Sequence, residues 1–302
     1  MKFCFSWLMA VAVFQGCAGT PEEIAGIESQ PDKFRQYWYQ GKAEINRFAL
    51  TQARYGERHE GDAVMIFVTE DFLAGKQVKK ERGNDPAYSV LKLNFTRNFT
   101  TGIYPYSLMT SVFTKADFDA LETPKATFTA QEWCGHVYMQ MNLDKKGYRT
   151  VIHSYFQNEG DQDLRLPRAV LEDEIWTGIR VAPHKLPTGE FEMIPSMQYS
   201  RLMHRDPAPR KVKATLVSDR FADRETYVYE VTYKEPDRRL RIFFEKEFPY
   251  AILGWRDTYT GGFGPNAREL TTEAVRTHVI TEAYWGKNKP ADRELRKSLG
   301  LD

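Results

Sequence analysis

The chain has 302 residues and a near balance of charge, with 42 Lys and Arg against 41 Asp and Glu. That balance excludes the basic field by which a nucleic-acid binder or a polybasic membrane protein draws in its partner. With 42% hydrophobic residues, a chain of this length can fill one large or two modest cores without metal or disulfide staples.

Residues 1–16 form the first recognisable element. Lys2 gives a positive start, and Trp7 to Phe14 is an apolar run of about eight residues, too short to span a bilayer, which takes about 20. The segment reads as an export signal. At its end, Phe14-Gln15-Gly16-Cys17 resembles the lipobox of bacterial lipoproteins, in which a small residue precedes a cysteine that is acylated and becomes residue one. Phe14 and Gln15 depart from the aliphatic and small residues usual there. The resemblance implies a signal peptide over 1–16, lipid on Cys17 and an address in the cell envelope, anchored to a bacterial membrane, with the outer membrane expected. Ordinary cleavage near Ala18-Gly19 or a buried N-terminal helix are the alternatives. Two or more acyl chains, at ~0.8 kcal/mol per buried CH₂, hold a protein stably on a bilayer. Loss of the signal removes Cys4 and acylation uses Cys17, which leaves Cys134 as the sole thiol and no intramolecular disulfide.

Residues 17–36 are expected to be a lipidated tether, because Ala18 to Pro31 is small, polar and bounded by proline, with room for one helical turn. From Tyr37 onward the dominant period is two, the mark of half-buried antiparallel strands. Leu91, Leu93, Phe95 and Phe99 share one face, with Lys92, Asn94, Thr96 and Asn98 on the other. Val137, Met139, Met141 and Leu143 alternate with Tyr138, Gln140, Asn142 and Asp144. The pattern returns at Tyr227, Tyr229, Val231 and Tyr233, then at Leu240, Ile242 and Phe244. Turn signals at Arg82 to Pro86, Asp144 to Gly147, Glu235 to Asp237 and Thr260 to Gly262 separate the runs.

Two helices are expected among the strands. Pro167 to Val181 carries Leu171, Ile175 and Ile179 at helical spacing, with Glu172, Asp173 and Glu174 outward. Pro290 to Leu299, after Asn288 as N-cap and before Gly300, reads as a charged surface cap. The expected fold is mainly β, a β-rich α+β chain with an extended or barrel-like antiparallel sheet. Residues 37–302 form a single domain, with two lobes over 37–163 and 186–286 joined by helix 167–181 as an alternative division.

Chemistry-bearing residues gather in Glu132-Trp-Cys-Gly-His136. On an extended strand Glu132, Cys134 and His136 would share a face, two-residue neighbours lying roughly 6.6 Å apart. Cys134 and His136 then suit a shared metal or an activated thiol, and a buried cysteine with a hydrogen-bonded histidine beside Trp133 is the structural alternative. His153 is a further candidate ligand whose face depends on the 144–147 hairpin. A three-residue loop with left-handed Gly147 pairs Asp144 with Tyr148 and turns His153 away, whereas a slip of one residue brings it to the face of His136. Glu132 opposes thiolate formation. Glu159-Gly-Asp-Gln-Asp163 offers carboxylates, Asp161 among them, but is shorter than an EF-hand loop and reads as a solvated turn. Trp38, Tyr104, Tyr106 and Trp133 are candidates for an aromatic ligand site or interface, with core filling as the alternative. Asn94-Phe-Thr96 and Asn98-Phe-Thr100 match the glycosylation sequon, incidental in a bacterial chain. No P-loop, Rossmann or serine-hydrolase fingerprint is present.

Four phrases occur in order: Gln52-Ala-Arg-Tyr-Gly-Glu57, Thr101-Gly-Ile-Tyr-Pro-Tyr-Ser107, Glu132 to His136, and Glu159 to Asp163. Together they resemble a family of uncharacterised bacterial envelope lipoproteins over most of the chain beyond residue 17. The resemblance implies an envelope location and brings no activity, since that family has none established. Some members carry the name septum-formation inhibitor Maf. True Maf enzymes are cytoplasmic nucleotide pyrophosphatases with a Ser-x-Ser-Pro-Arg-Arg segment that is missing here, and an exported lipoprotein has no access to their substrates. The leading expectation is a non-enzymatic lipoprotein that binds an amphipathic ligand or an envelope protein through its sheet. The alternative is a periplasm-facing enzyme that uses Cys134 and His136 with Glu132 or Asp161. Neither implies a cofactor or a nucleic acid.

Overall fold

The computed structural model describes residues 27–262 and 264–301. The expected signal peptide, Cys17 and residues 17–26 of the tether lie outside the described residues. Helix α1 (Pro31–Trp38) comes first, and Phe34 and Trp38, four residues apart on one face, are buried in the main core. Residues 31–36 therefore belong to the domain and not to the tether, because an apolar i, i+4 pair has a core to enter.

Eight strands follow: β1 (Ala43–Arg54), β2 (Glu57–Leu73), β3 (Ala87–Thr101), β4 (Tyr104–Lys115), β5 (Lys125–Glu132), β6 (Gly135–Asp144), β7 (Gly147–Ser154) and β8 (Gln162–Leu166). The short β9 (Val170–Leu171) leads directly into helix α2 (Glu172–Val181), then β10 (Gly189–Ile194) and helix α3 (Met197–Leu202). The return run is β11 (Arg210–Phe221), β12 (Arg224–Tyr233), β13 (Arg238–Phe244), β14 (Ile252–Gly261) and β15 (Arg268–Glu282), closed by α4 (Glu294–Ser298).

All strands join one 15-stranded sheet, in the order β8 to β1, then β15 down to β9. Neighbours are antiparallel except β9 and β10. The chain thus enters and leaves at the middle of the sheet, where β1 pairs with β15, while its free edges β8 and β9 are three residues apart in sequence. That connection draws the edges together and makes the architecture mainly β and barrel-like, with a seam at residues 167–169. The alternations read from the sequence hold: Leu91, Leu93, Phe95 and Phe99 are buried, as are Val137, Met139, Met141 and Leu143. Arg97 lies on the same inward face of β3 and is buried too.

The interior is filled by helices. Ile175, Trp176 and Ile179 of α2 share one core with residues of β1 to β3 on one side and β11 to β14 on the other. Met197 and Leu202 of α3 fill a second core against β4 to β7. The sequence predicts a helix beginning at Pro167 with its acidic turn outward, and both points are corrected. Pro167 to Ala169 crosses the seam, Val170 and Leu171 pair with Met193 and Ile194, and all ten residues of α2 are buried. A helix inside a barrel has no solvent face, so each carboxylate has to find donors in the wall. Glu172 takes two bonds from Arg238, at 2.6 and 2.7 Å, and one from Tyr233. Asp173 accepts the Met197 N–H, and Glu174 accepts the Leu171 N–H at the helix start. At the other end Arg180 grips Glu44 of β1 through two bonds of 2.7 and 2.8 Å and stacks over Trp38 and Phe67.

At the C-terminus a 3₁₀ turn (Pro290–Arg293) precedes α4. Asp292, accepting the Lys289 N–H, caps the turn in place of Asn288. Leu299 is buried against the outer sheet face at Ile45, Val64 and Val68. Among the described residues no helix is long and apolar enough to cross a membrane.

Two measurements check the ionic interior. Arg180→Met strands Glu44 and is expected to cost about 3–5 kcal/mol, and adding Glu44→Gln should recover a large part of it, as read by urea unfolding of the cycle; additive losses would contradict the pairing. The second concerns pH. Burial pushes Asp173 up to about 6 and Glu174 up to about 7. Burial also acts upward on Glu44, but the Arg180 charge and the bonds from Arg180, Tyr37 and Asn46 outweigh it and hold that group at about 2. Asp173 and Glu174 keep protons that the unfolded chain releases, so their contribution is complete below about pH 4 and is lost as pH rises through about 6 to 7. Glu44 contributes above about pH 4.5, and its share is lost as pH falls toward about 2. Melting temperature should therefore peak near about pH 5 and fall by several degrees toward about pH 8, and Glu174→Gln should flatten that alkaline slope.

Candidate functional site

Successive hairpins place the β1–β2, β3–β4 and β5–β6 turns and the end of β7 on one rim of the barrel. Here, between the inner faces of β6 and β7, residues 156–162 and the end of α3, lies a cavity of about 460 Å³. Its floor is apolar, made by Val137, Met139 and Ile152 with Phe156 at the side. Its wall is polar and comes from α3.

Helix α3 ends in a Schellman arrangement: the Arg205 N–H bonds the Ser200 carbonyl at 2.8 Å, the His204 N–H bonds the Arg201 carbonyl at 3.3 Å, and His204 takes φ 50°. Glycine is usual at such a position. His204 is held there by a 2.6 Å contact from Nδ1 to Glu159 Oε1, while its Nε2 faces Arg201 Nη1 at 3.4 Å. Arginine only donates, so Nε2 is the acceptor and Nδ1–H donates to Glu159, which assigns the neutral tautomer. Arg201 is itself buried, bonds Glu132 Oε1 at 2.8 Å and lies over Phe156 at 4.2 Å. Ser154 closes the row by donating to Glu159. Ser200 and Arg201 both line this wall, and their buried Oγ and Nε have no hydrogen-bond partner among the described residues. An apolar floor below two unmet donors fits a molecule with a hydrocarbon body and a hydrogen-bond-accepting head.

The expected site residues fall into separate places. Glu132 turns inward to Arg201. Cys134 does not lie on a strand: Glu132 pairs with Gly135, so Trp133 and Cys134 are the two turn residues of the hairpin, and the thiol is exposed. That corrects both the shared strand face and the buried-cysteine alternative. The hydrogen bond and charge of Glu132 push the Cys134 thiol up from its ordinary value, against nucleophilic use. His136 is exposed on the outer face. Asp144 pairs with Gly147, not Tyr148, so His153 stands opposite Tyr138 on the face of His136. The two-residue loop forms without positive φ at Lys145 or Lys146, because Asp144 accepts the Lys146 N–H and Gly147 takes the strain at φ 112°. His153 pairs instead with exposed Asp161 at 3.2 Å. Among the described residues no group of three or more His, Cys, Asp or Glu side chains is placed to hold a metal.

Of the aromatic candidates, Trp38 is core and not a ligand residue, since α1 carries it inside. Tyr106 is buried, stacked on Phe99 at 4.8 Å and bonded to Tyr55. Tyr104 and Trp133 lie on the rim, their rings 6.4 Å apart. Sequence reading misses Ser200, Arg201 and His204. The available signal was the polar-rich run from Gln198 to Asp206, just before Pro207 and between two β patterns.

Neither the protein-family models nor the curated proteins give a match to this chain. Among solved structures, a beta-barrel-like protein of a domain of unknown function, DUF1849, from Brucella abortus is similar at 11% identity, with TM-score 0.43, over 79% of this chain and 96% of that one. It lends no residue assignment.

A raised, exposed thiol makes a kinetic prediction. Cys134 should alkylate fully in the folded protein with iodoacetamide, but at about pH 7.5 more slowly than a free cysteine peptide. A faster reaction would mark an activated thiol.

Proposed function

We propose that this protein binds an amphipathic molecule and does not transform it, with the hydrocarbon part on Val137, Met139 and Ile152 and an acceptor head on Ser200 and Arg201. The pair of unmet buried donors over an apolar floor carries the reading. The two polar side chains nearest the α3 wall are already engaged, Arg201 in an ion pair with Glu132 and His204 in a hydrogen bond to Glu159. They therefore orient a ligand better than they would attack one. The protein works in the bacterial envelope, held at the outer membrane by lipid on Cys17.

Binding of a fluorescent monoacyl carboxylate tests the site. Met139→Trp fills the floor and should abolish binding while the protein stays folded. Ser200→Ala removes one donor and should weaken binding by about fivefold, equivalent to about 1 kcal/mol. Unchanged affinity in folded Met139→Trp overturns the assignment. The anchor has its own test: Cys17→Ser should move the protein from the detergent phase to the aqueous phase.

A further inference from the structure

The same rim carries a feature that the cavity does not use. At the tips of its hairpins stand Tyr55, Ile103 and Trp133, followed by Tyr155 at the end of β7; Ile103 is 79% exposed, Tyr155 71% and Trp133 68%. They form a continuous ledge. Tyr104 donates to the Tyr55 hydroxyl at 3.2 Å, the Tyr104 and Trp133 rings lie 6.4 Å apart, and Tyr155 packs onto Gly135, where a Cβ would stand 2.9 Å from it. Tyr155 then meets Phe156 at 5.6 Å, and Phe156 borders the cavity.

We propose that this ledge seats on the surface of a neutral phospholipid bilayer. Charge argues for that occupant. Over residues 101–104, 131–136 and 154–158 the lone acidic or basic side chain besides His136 is Glu132, which is buried and neutralised by Arg201, whereas the Tyr55 hairpin, with exposed Glu57 and Arg58, forms the charged end of the ledge. In a sequence that is 27% charged, three adjacent uncharged tips can enter the headgroup layer without stripping water from an ion. A protein interface of this kind would carry a polar, charged rim. Tyr and Trp are the side chains that favour the membrane interface, with an aliphatic neighbour going deeper. Tight hairpins also satisfy their own backbone groups. No described part of the chain covers the ledge: α1 lies at the opposite rim, where Gln30 bonds Tyr250, and α4 lies on the outer face. The proposal is independent of what the cavity holds.

Segment 27–302 contains every residue of the described cores and lacks the apolar leader, so its own membrane affinity can be measured. It should float with phosphatidylcholine vesicles. A polarity-sensitive dye on Cys134 should shift to the blue on binding. Ile103→Asp with Trp133→Asp, at exposed tips, should reduce binding by at least about tenfold without lowering the melting temperature, while Met139→Trp should leave it unchanged. Absence of flotation, or equal flotation by the folded double variant, overturns the proposal. Capture of an envelope protein through these residues, with no vesicle binding, overturns it in favour of a protein interface.

Discussion

The structure depends on housing a charged helix inside a sheet. Helix α2 has no face toward water, yet three consecutive carboxylates open it and an arginine stands near its end. Three of these groups are answered from different elements, β13 and β12 at Glu172, the start of α3 at Asp173 and β1 at Arg180, while Glu174 is held by the Leu171 N–H at the start of its own helix. Left unpaired, any one of them would cost more than most apolar contacts return. The pairs therefore fix where the helix lies, how far the sheet curls and which strands must approach each other. Arg238 shows how tightly the parts are joined, because it bonds Glu172 on the helix and Asp257 on β14 together, at 2.7 to 2.9 Å for the latter.

Alternation of apolar residues made the sheet legible. Where one face is buried, a period of two can be read directly, and the strands through Leu93, Met139 and Tyr229 are where that pattern puts them. The helix orientation was not legible, since an acidic first turn ordinarily faces solvent and the partners that draw Glu172 inward are 61 and 66 residues away in sequence. One signal was open to reading: Arg97 breaks the apolar face of β3. Burial lowers its guanidinium to about 10, while Asp257 acts in the opposite direction, and the group packs over the Phe95 and Trp255 rings.

The cavity was less legible still. It combines a floor from β6 and β7 with a wall from a helix that lies about 60 residues further along, and no local motif reports such a meeting. The phrase around Cys134 lies on the rim beside this cavity, but its cysteine and histidine do not line it. Its value lies in Glu132, which anchors Arg201, and in Trp133, which extends outward; the thiol that follows only marks the turn.

The central position of the chain ends has a consequence for assembly. β1 is the first strand in chain order, but its second neighbour, β15, is the last. Until Glu282 arrives, one edge of β1 has no partner and Trp255 cannot be sealed between Phe48 and Phe95. Contacts of such long sequence separation form slowly, so the sheet acquires its final cooperativity only once its first and last strands have met. The ladder between them is in this sense the clasp that completes the fold.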